Sequence, residues 1–398
     1  MFPNAGGAGG APNAPAAPAR PPLICLSHLR WDFVWQRPQH LMSRFARNRR
    51  VFFVEEPVFR DGAGEPPGGA RLERRVSDGV TVCQPVCRDP GPGGGPRLDA
   101  MYAELVGDLV REEQLEGYTL WFYTPMLLPA AERLTPSLVV YDAMDELSLF
   151  KGAPPELLPR ERELLARADV VFAGGPSLAA HKAKLHPNVH AFPSGVDVAH
   201  YQRALDPATP VPPDVAALPR PILGFFGVID ERMDLEMLEA VARARPRWSL
   251  AMIGPVVKID PAELPRLPNI HYLGQRQYAD LPGYVKGFDV CIMPFALNAA
   301  TRFISPTKTL EYMAAHKPIV STPVADVVGA YGDIVAIAGD PEAFVGAAER
   351  ALAETPEARA GRLERERALL AASAWDAIAR RMDERMMEAE RQVRSPKS

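Results

Sequence analysis

The chain runs twice through the same pattern. From Leu23 onward, short stretches rich in Val, Ile and Phe alternate with longer helical patterns; a proline-rich interruption follows, and the alternation then restarts. Short, continuously apolar runs suit strands covered on both faces, as in parallel sheets flanked by helices. Two such series predict an α/β protein of two doubly wound, Rossmann-like domains. Strands are expected at 23–27, 51–54, 80–84, 119–123, 138–142, 170–173 and 190–192, with helices at 38–46, 100–113, 155–168 and 177–185. The second series has strands at 222–226, 249–253, 270–273, 290–293, 318–322 and 334–337, and a last amphipathic helix at 375–393.

The boundaries follow from composition. Residues 1–22 are nearly all Ala, Gly, Pro and Asn, too little side chain to offset the entropy of ordering, and read as a flexible leader. Residues 23–203 form the first domain, 204–220 (ALDPATPVPPDVAALPR) the linker, 221–372 the second domain and 373–398 the terminal helix. Segments 61–70 and 89–96 read as Gly/Pro surface loops. Length allows two or three domains, since 398 residues exceed any single small module.

Charge narrows the partners. With 45 Lys plus Arg against 49 Asp plus Glu there is no whole-protein attraction to nucleic acid, and an anionic ligand must be met locally. The four cysteines, Cys25, Cys83, Cys87 and Cys291, are too scattered for a secreted disulfide framework. No run is long enough to span a membrane, and the first twenty residues lack a signal-peptide core; a cytoplasmic protein is expected.

Two facing sheets create a cleft at their strand carboxyl ends, where ligands of such folds bind. The strongest local signal there is Ser305-Pro306-Thr307-Lys308-Thr309-Leu310-Glu311-Tyr312. Ser305 can cap, Pro306 suits a first turn, and free amides after it, Thr307 included, can meet an anion. Lys308 adds charge, and Glu311 on the same face can accept hydroxyl hydrogen bonds. A phosphate beside a diol suggests a nucleotide sugar; the alternative is an ordinary surface helix. In the first half, the loop holding His28, Trp31, Trp35 and Arg37 either offers sugar-stacking rings and a phosphate contact on the acceptor side or anchors itself on the core. Asp142 and Asp145 either orient or deprotonate an acceptor hydroxyl or cap a helix. Arg37, Arg44, Arg47, Arg49 and Arg50 make the 37–50 segment basic, fit for an anionic membrane surface or for a solvated face.

Several chemistries find no support. Cys83 and Cys87 lack a second ligand pair for zinc. No G-x-G-x-x-G follows the first strand, and neither a Walker sequence nor a G-x-S-x-G elbow is present. Without a convincing metal-chelating DxD, no metal and no cofactor is expected.

In order along the second half stand Phe226-Gly227, Ile253-Gly254, Leu273-Gly274, Met293-Pro294 and Glu311; the first half closes in Pro193-Ser194-Gly195-Val196-Asp197, and Trp375-Asp376 opens the last helix. In this order the chain resembles the GT-B glycosyltransferases, in particular the large retaining group numbered family 4. The resemblance implies a donor site in the second domain, a terminal helix crossing back onto the first domain, and transfer of a sugar from a nucleoside diphosphate to a glycan or lipid-linked acceptor with retained configuration. It implies donor contacts at Gly227, Gly274 and Ser305 to Lys308, with Glu311 holding the ribose. Catalytic roles are expected for His28, Asp142 and Asp145.

Two departures stand out. Phe303 stands where that family often has a first acid, and the segment from Gly227 to Asp234 lacks the usual diphosphate-gripping Arg and Lys. Arg232, Lys258, Arg302 and Lys308 become the candidate cations. Related bacterial transferases of polysaccharide assembly share the P-x-K-x-x-E-Y pattern. Rival readings are a non-catalytic sugar-nucleotide-binding scaffold and a GT-B-fold sugar-nucleotide epimerase.

Overall fold

The computed structural model describes residues 20–60, 70–88, 91 and 95–394. Most of the expected leader, most of both Gly/Pro loops and the last four residues lie outside that range.

The first domain carries β1 (Leu23–Leu26), β2 (Val51–Val54), β3 (Val58–Phe59), β4 (Ala70–Ser77), β5 (Val80–Cys87), β6 (Thr119–Phe122), β7 (Leu138–Ala143), β8 (Val170–Ala173) and β9 (Val189–Ala191). They form one sheet of order β3-β5-β2-β1-β6-β7-β8-β9, with β4 paired to β5. All pairings are parallel except the β4–β5 hairpin. The second domain carries β10 (Ile222–Phe226), β11 (Ser249–Ile253), β12 (Ile270–Gly274), β13 (Val290–Met293), β14 (Ile319–Ser321) and β15 (Ala336–Ile337). Their order, β12-β11-β10-β13-β14-β15, is that of a doubly wound sheet, all parallel, reversing at β10.

Alternation within strands divides the first core into two layers. Leu23 and Cys25 face the layer that holds Trp121, Trp375 and Met382, whereas Ile24 and Leu26 face the layer under the helix Gly95–Glu112. The terminal helix, Trp375–Arg394, therefore closes one face of the first sheet and lies beside the helix Arg37–Phe45. That is the expected crossing back.

The arginines at 37–50 hold these helices together. Arg37 pairs with Asp142, Arg44 and Arg47 with Asp376, Arg49 with Asp383, and Arg50 with Glu113. Each guanidinium of this segment has a carboxylate partner within the chain, with Arg37 and Arg49 buried and Arg47 and Arg50 exposed. Among the described residues no helix is long and apolar enough to cross a membrane.

The proline-rich segment also differs from expectation. It is a strap packed on the second domain: Val215 is fully buried, and Lys286 Nζ donates to the carbonyls of Asp206 and Thr209 at 2.7 and 2.8 Å. Glycines make the packing possible, because a Cβ at Gly283 would stand 2.6 Å from the Pro210 carbonyl oxygen. The chain instead changes domain at 193–197. There Val196 N–H donates to the Ser373 carbonyl at 2.9 Å, and Val196 bridges Ala374, where the chain crosses back. A Cβ on Gly195 would stand 2.7 Å from that same Ser373 oxygen, so the two crossings touch through a glycine.

Candidate functional site

The site begins with strand ends that bring backbone close to backbone. Gly227, Gly254 and Gly274 follow or end β10, β11 and β12 with φ of +148°, +145° and +73°. A Cβ on Gly254 would stand 1.8 Å from the Gly227 carbonyl oxygen, so only glycine fits. Gly227 in turn makes room for Lys308, whose Cε would be 3.1 Å from a Cβ there.

The loop after β13 leads through Ser305, Pro306 and Thr307 into the helix Lys308–Ala314. Lys308 Nζ lies 5.0 Å above the Phe226 ring, donates to Thr307 Oγ1 at 3.2 Å, and pairs with Glu311 Oε2 at 3.2 Å. Glu311 Oε2, paired with Lys308, and the Tyr201 hydroxyl are buried polar atoms near one another, and both residues line the same cavity. Burial, helped by the Glu311 charge, holds the Tyr201 phenol well above its ordinary range. The carboxylate of Glu311 and the Tyr201 hydroxyl thus stand together on the cavity wall, two polar groups of the kind that meet hydroxyl groups.

Two adjoining cavities occupy the gap between the domains, of about 440 and 240 Å³. Trp35, Gly227, Tyr278, Lys308 and Glu311 line both. The larger runs from the β11 and β12 ends, Gly254 and Gln275 to Tyr278, to the loop Trp31–Trp35. The smaller lies between Asp145 and Gly174 of the first domain and Arg232, Ser305, Pro306 and Thr307 of the second.

The expected residues divide between these walls and the core. Arg232 lines the smaller cavity, its guanidinium held by Asp230 at 2.9 and 2.8 Å. Lys258, with φ +62°, lies outside both linings; its Nζ sits 4.5 Å over the Phe150 ring of the opposite domain. Arg302 is exposed, 5.2 Å from the Phe303 ring, and lines neither cavity. Gly274 shapes the β12 end without lining a cavity.

On the first-domain side the two aspartates part company. Asp142 is fully buried and receives both Nε and Nη2 of Arg37, at 2.9 and 2.8 Å; Arg37 Nη1 goes to the Phe192 carbonyl at 2.7 Å. This pair ties β7 to the first helix, each side chain almost wholly buried. Asp145, half-buried, faces the cavity, and burial raises its carboxyl pKa against the pull of Arg232 and Lys258. Of the two tryptophans, Trp31 is the loop's anchor: it is buried, its indole N–H donates to Ser77 Oγ at 3.1 Å, and its ring meets Phe53 edge-on. Trp35 is half-buried at the cleft, its indole N–H donating to His40 Nδ1 at 3.3 Å. His28 lies at the end of β1 with Nδ1 unpartnered; burial, with Lys258 nearby, lowers its pKa to about 4.

Tyr201, Tyr278, His40 and Asp326 escape sequence reasoning, because their importance arises from stacking and from interdomain contacts. His40 stacks on Trp375 at 4.6 Å, His200 stacks on Tyr278 at 4.0 Å, and His181 of the first domain stacks on Phe303 of the second at 4.9 Å. Phe303, where an acid is usual in the resembled family, is an interdomain contact here.

With two facing doubly wound domains and a cleft site between them, the comparisons with known proteins fall into place. Residues 220–354 match the family described as Glycosyl transferases group 1. The fold is GT-B. A teichuronic acid biosynthesis protein of Bacillus subtilis strain 168, TuaH, named as a glycosyltransferase, is 33% identical over 104 residues, 25% of this chain. That stretch spans about a quarter of the relative's length (26%). The sucrose-phosphate synthase of Thermosynechococcus elongatus superposes with a TM-score of 0.69 at 16% identity, over 94% of this chain and 100% of its own. A trehalose-6-phosphate structure from E. coli bound with UDP-2-fluoro glucose gives 0.67 at 14% identity, over 93% and 99%. A UDP-forming α,α-trehalose-phosphate synthase of Burkholderia xenovorans, in complex with glucose-6-phosphate, gives 0.69 at 14% identity, over 92% and 100%. At such identity the group 1 match and these neighbours share a fold.

Proposed function

We propose that the protein is a glycosyltransferase that moves a sugar from a nucleoside diphosphate donor to a glycan or lipid-linked acceptor, with retention and without a metal or other cofactor. The observation that carries the reading is the pair Lys308 and Glu311, side by side on the wall shared by both cavities, with the Tyr201 hydroxyl close to the Glu311 carboxylate. Glu311, with the Tyr201 hydroxyl, receives ribose hydroxyls in the larger cavity. Lys308, Arg232 and the backbone around Ser305 to Thr307 meet the diphosphate where the cavities join.

As the bond from sugar to diphosphate breaks, negative charge develops on the leaving oxygen. Lys308 and Arg232 stabilise it in a site where water is largely excluded, the role that a divalent ion plays elsewhere. Asp145, across the gap, orients the acceptor hydroxyl and takes up its proton as the new bond forms. Asp142 and Arg37 hold the floor of that wall. Retention of configuration is carried over from the resemblance.

Purified protein with UDP-, GDP- and ADP-sugars and a membrane extract, read by product mass spectrometry, tests the reading. Transfer is expected, undiminished by excess EDTA. Donor binding without turnover favours the scaffold, and acceptor-free isomerisation the epimerase; either outcome overturns the proposal.

A further inference from the structure

We infer that the acceptor group received by this site belongs to an uncharged sugar, and that a sugar phosphate is rejected by the first-domain wall. The inference rests on the transfer reading above and narrows its acceptor. The fold itself does not decide the matter, since the Burkholderia xenovorans neighbour was solved in complex with glucose-6-phosphate.

The argument is an inventory of charge on one wall. A phosphate held away from bulk water needs charge-assisted donors. On the first-domain side of the smaller cavity the guanidinium is that of Arg37, which is buried, bidentate to Asp142, whose opposite charge offsets its own, and donates from Nη1 to the Phe192 carbonyl. His40, on the same wall, is kept neutral by burial. Asp145 is a half-buried carboxylate for which no hydrogen-bond donor is found among the described residues, and it would stand against a phosphate dianion in a medium that screens poorly. The cations opposite, Lys308 and Arg232, belong to the donor wall and already face Glu311 and Asp230.

What the wall does offer fits a neutral ring. Trp35 brings an indole whose N–H is turned onto His40, leaving an apolar surface for the C–H face of a pyranose. Gln36 and Ser194 add neutral polar groups, and Asp145 accepts a hydroxyl proton.

Isothermal titration of the full chain, saturated with UDP or with GDP, tests this without depending on turnover. The probes are methyl α- and β-glucosides, galactosides and mannosides beside the corresponding hexose 6-phosphates. The neutral glycosides are expected to bind at least about tenfold more tightly. Asp145→Asn should narrow the gap, and Met144→Lys, which adds a cation beside Asp145, should reverse it. Equal or tighter binding of the phosphates to the natural protein overturns the inference, and so does a failure of both sets to bind. Tight neutral binding with no nucleotide released from any donor would instead sink the transfer reading while leaving the neutral wall standing.

Discussion

The Asp326 carboxylate of the second domain accepts a hydrogen bond from the backbone N–H of Ser177 in the first, at 3.1 Å. The donor is at the start of the helix Pro176–Lys182, where an N–H has no carbonyl of its own helix to meet. Beside it a Cβ on Gly175 would stand 2.0 Å from Asp326 Oδ2 and 2.8 Å from Ser305 Cβ. The domains thus meet at a glycine, next to the loop that leads into Lys308.

Gly175→Ala should therefore force the walls apart without disturbing either core. Transfer is expected to fall about 10- to 100-fold in kcat/KM, the scale of a reacting geometry misplaced by a fraction of an ångström to an ångström. The thermal midpoint should change by only a few degrees. Asp326→Ala in the same chain should recover part of the loss, because it removes the nearer obstacle. Activity equal to the natural protein would mean that this contact is no part of the working arrangement.

Lys308→Ala and Glu311→Gln test the donor wall. Each should weaken nucleotide-sugar binding by at least about tenfold, since a charge-assisted contact to diphosphate or ribose is lost. Circular dichroism should be unchanged, both side chains being on the cavity wall. Donor affinities like those of the natural protein would remove Lys308 and Glu311 from the site.

Gly254→Ala has a different expected outcome. Its φ of +145° and the 1.8 Å approach to the Gly227 oxygen leave no room for a methyl group, and the obstacle is backbone. A loss of several kcal/mol is expected, visible as insoluble expression or a collapse of the urea midpoint. A soluble protein of ordinary midpoint would contradict the packing of β10 against β11.

The Arg49 to Asp383 pair predicts what the basic segment does. Both side chains are nearly buried, so Arg49→Ala strands a carboxylate under the terminal helix and should cost about 3–5 kcal/mol. Sedimentation with anionic liposomes should be no weaker for an Arg44/Arg47/Arg49/Arg50→Ala protein than for the natural one. Salt-sensitive binding that disappears in the variant would establish a lipid-facing role.

Acid should loosen the same junction. His40 is buried, and burial first, then Arg44 and His200, lowers its pKa from 6.5 to about 3. A base whose folded pKa lies below its unfolded value contributes stability that is complete above pH 6.5 and lost as pH falls toward 3. His28, lowered to about 4, acts in the same direction. Each adds a slope of up to about 1.4 kcal/mol per pH unit within its window. Urea titrations at pH 7.5, 6 and 5 should show the decline, and His40→Gln should flatten it by close to one proton; an unchanged slope would mean that His40 is not held neutral.

How far such features could be read beforehand depended on how local their causes are. Strands such as β1 and β10 were legible because every residue in them is buried, which a run of apolar residues announces directly. The hairpin strand β4 was not, because Arg71, Glu73, Arg74 and Arg75 give it the composition of a surface segment. Lys308 and Glu311 were legible because three residues on a helix set one face. Asp142 and Asp145 looked alike because both stand at one strand end. Only an arginine 105 residues away in sequence separates a buried strut from a cavity carboxylate. The partners of Arg44 and Arg49 are more distant still, at Asp376 and Asp383, and the prolines of 204–220 became a packed strap through Gly283 and Gly287.

The touching passages at Val196 and Ala374 have a mechanical meaning. Two chain passages held together at one point keep the crossing short and fix where the bodies turn, while leaving the direction of turning to the surfaces around it. Cutting the chain before Ser373 would leave one passage and uncover a face of the first sheet, so the terminal helix serves the junction as well as the core.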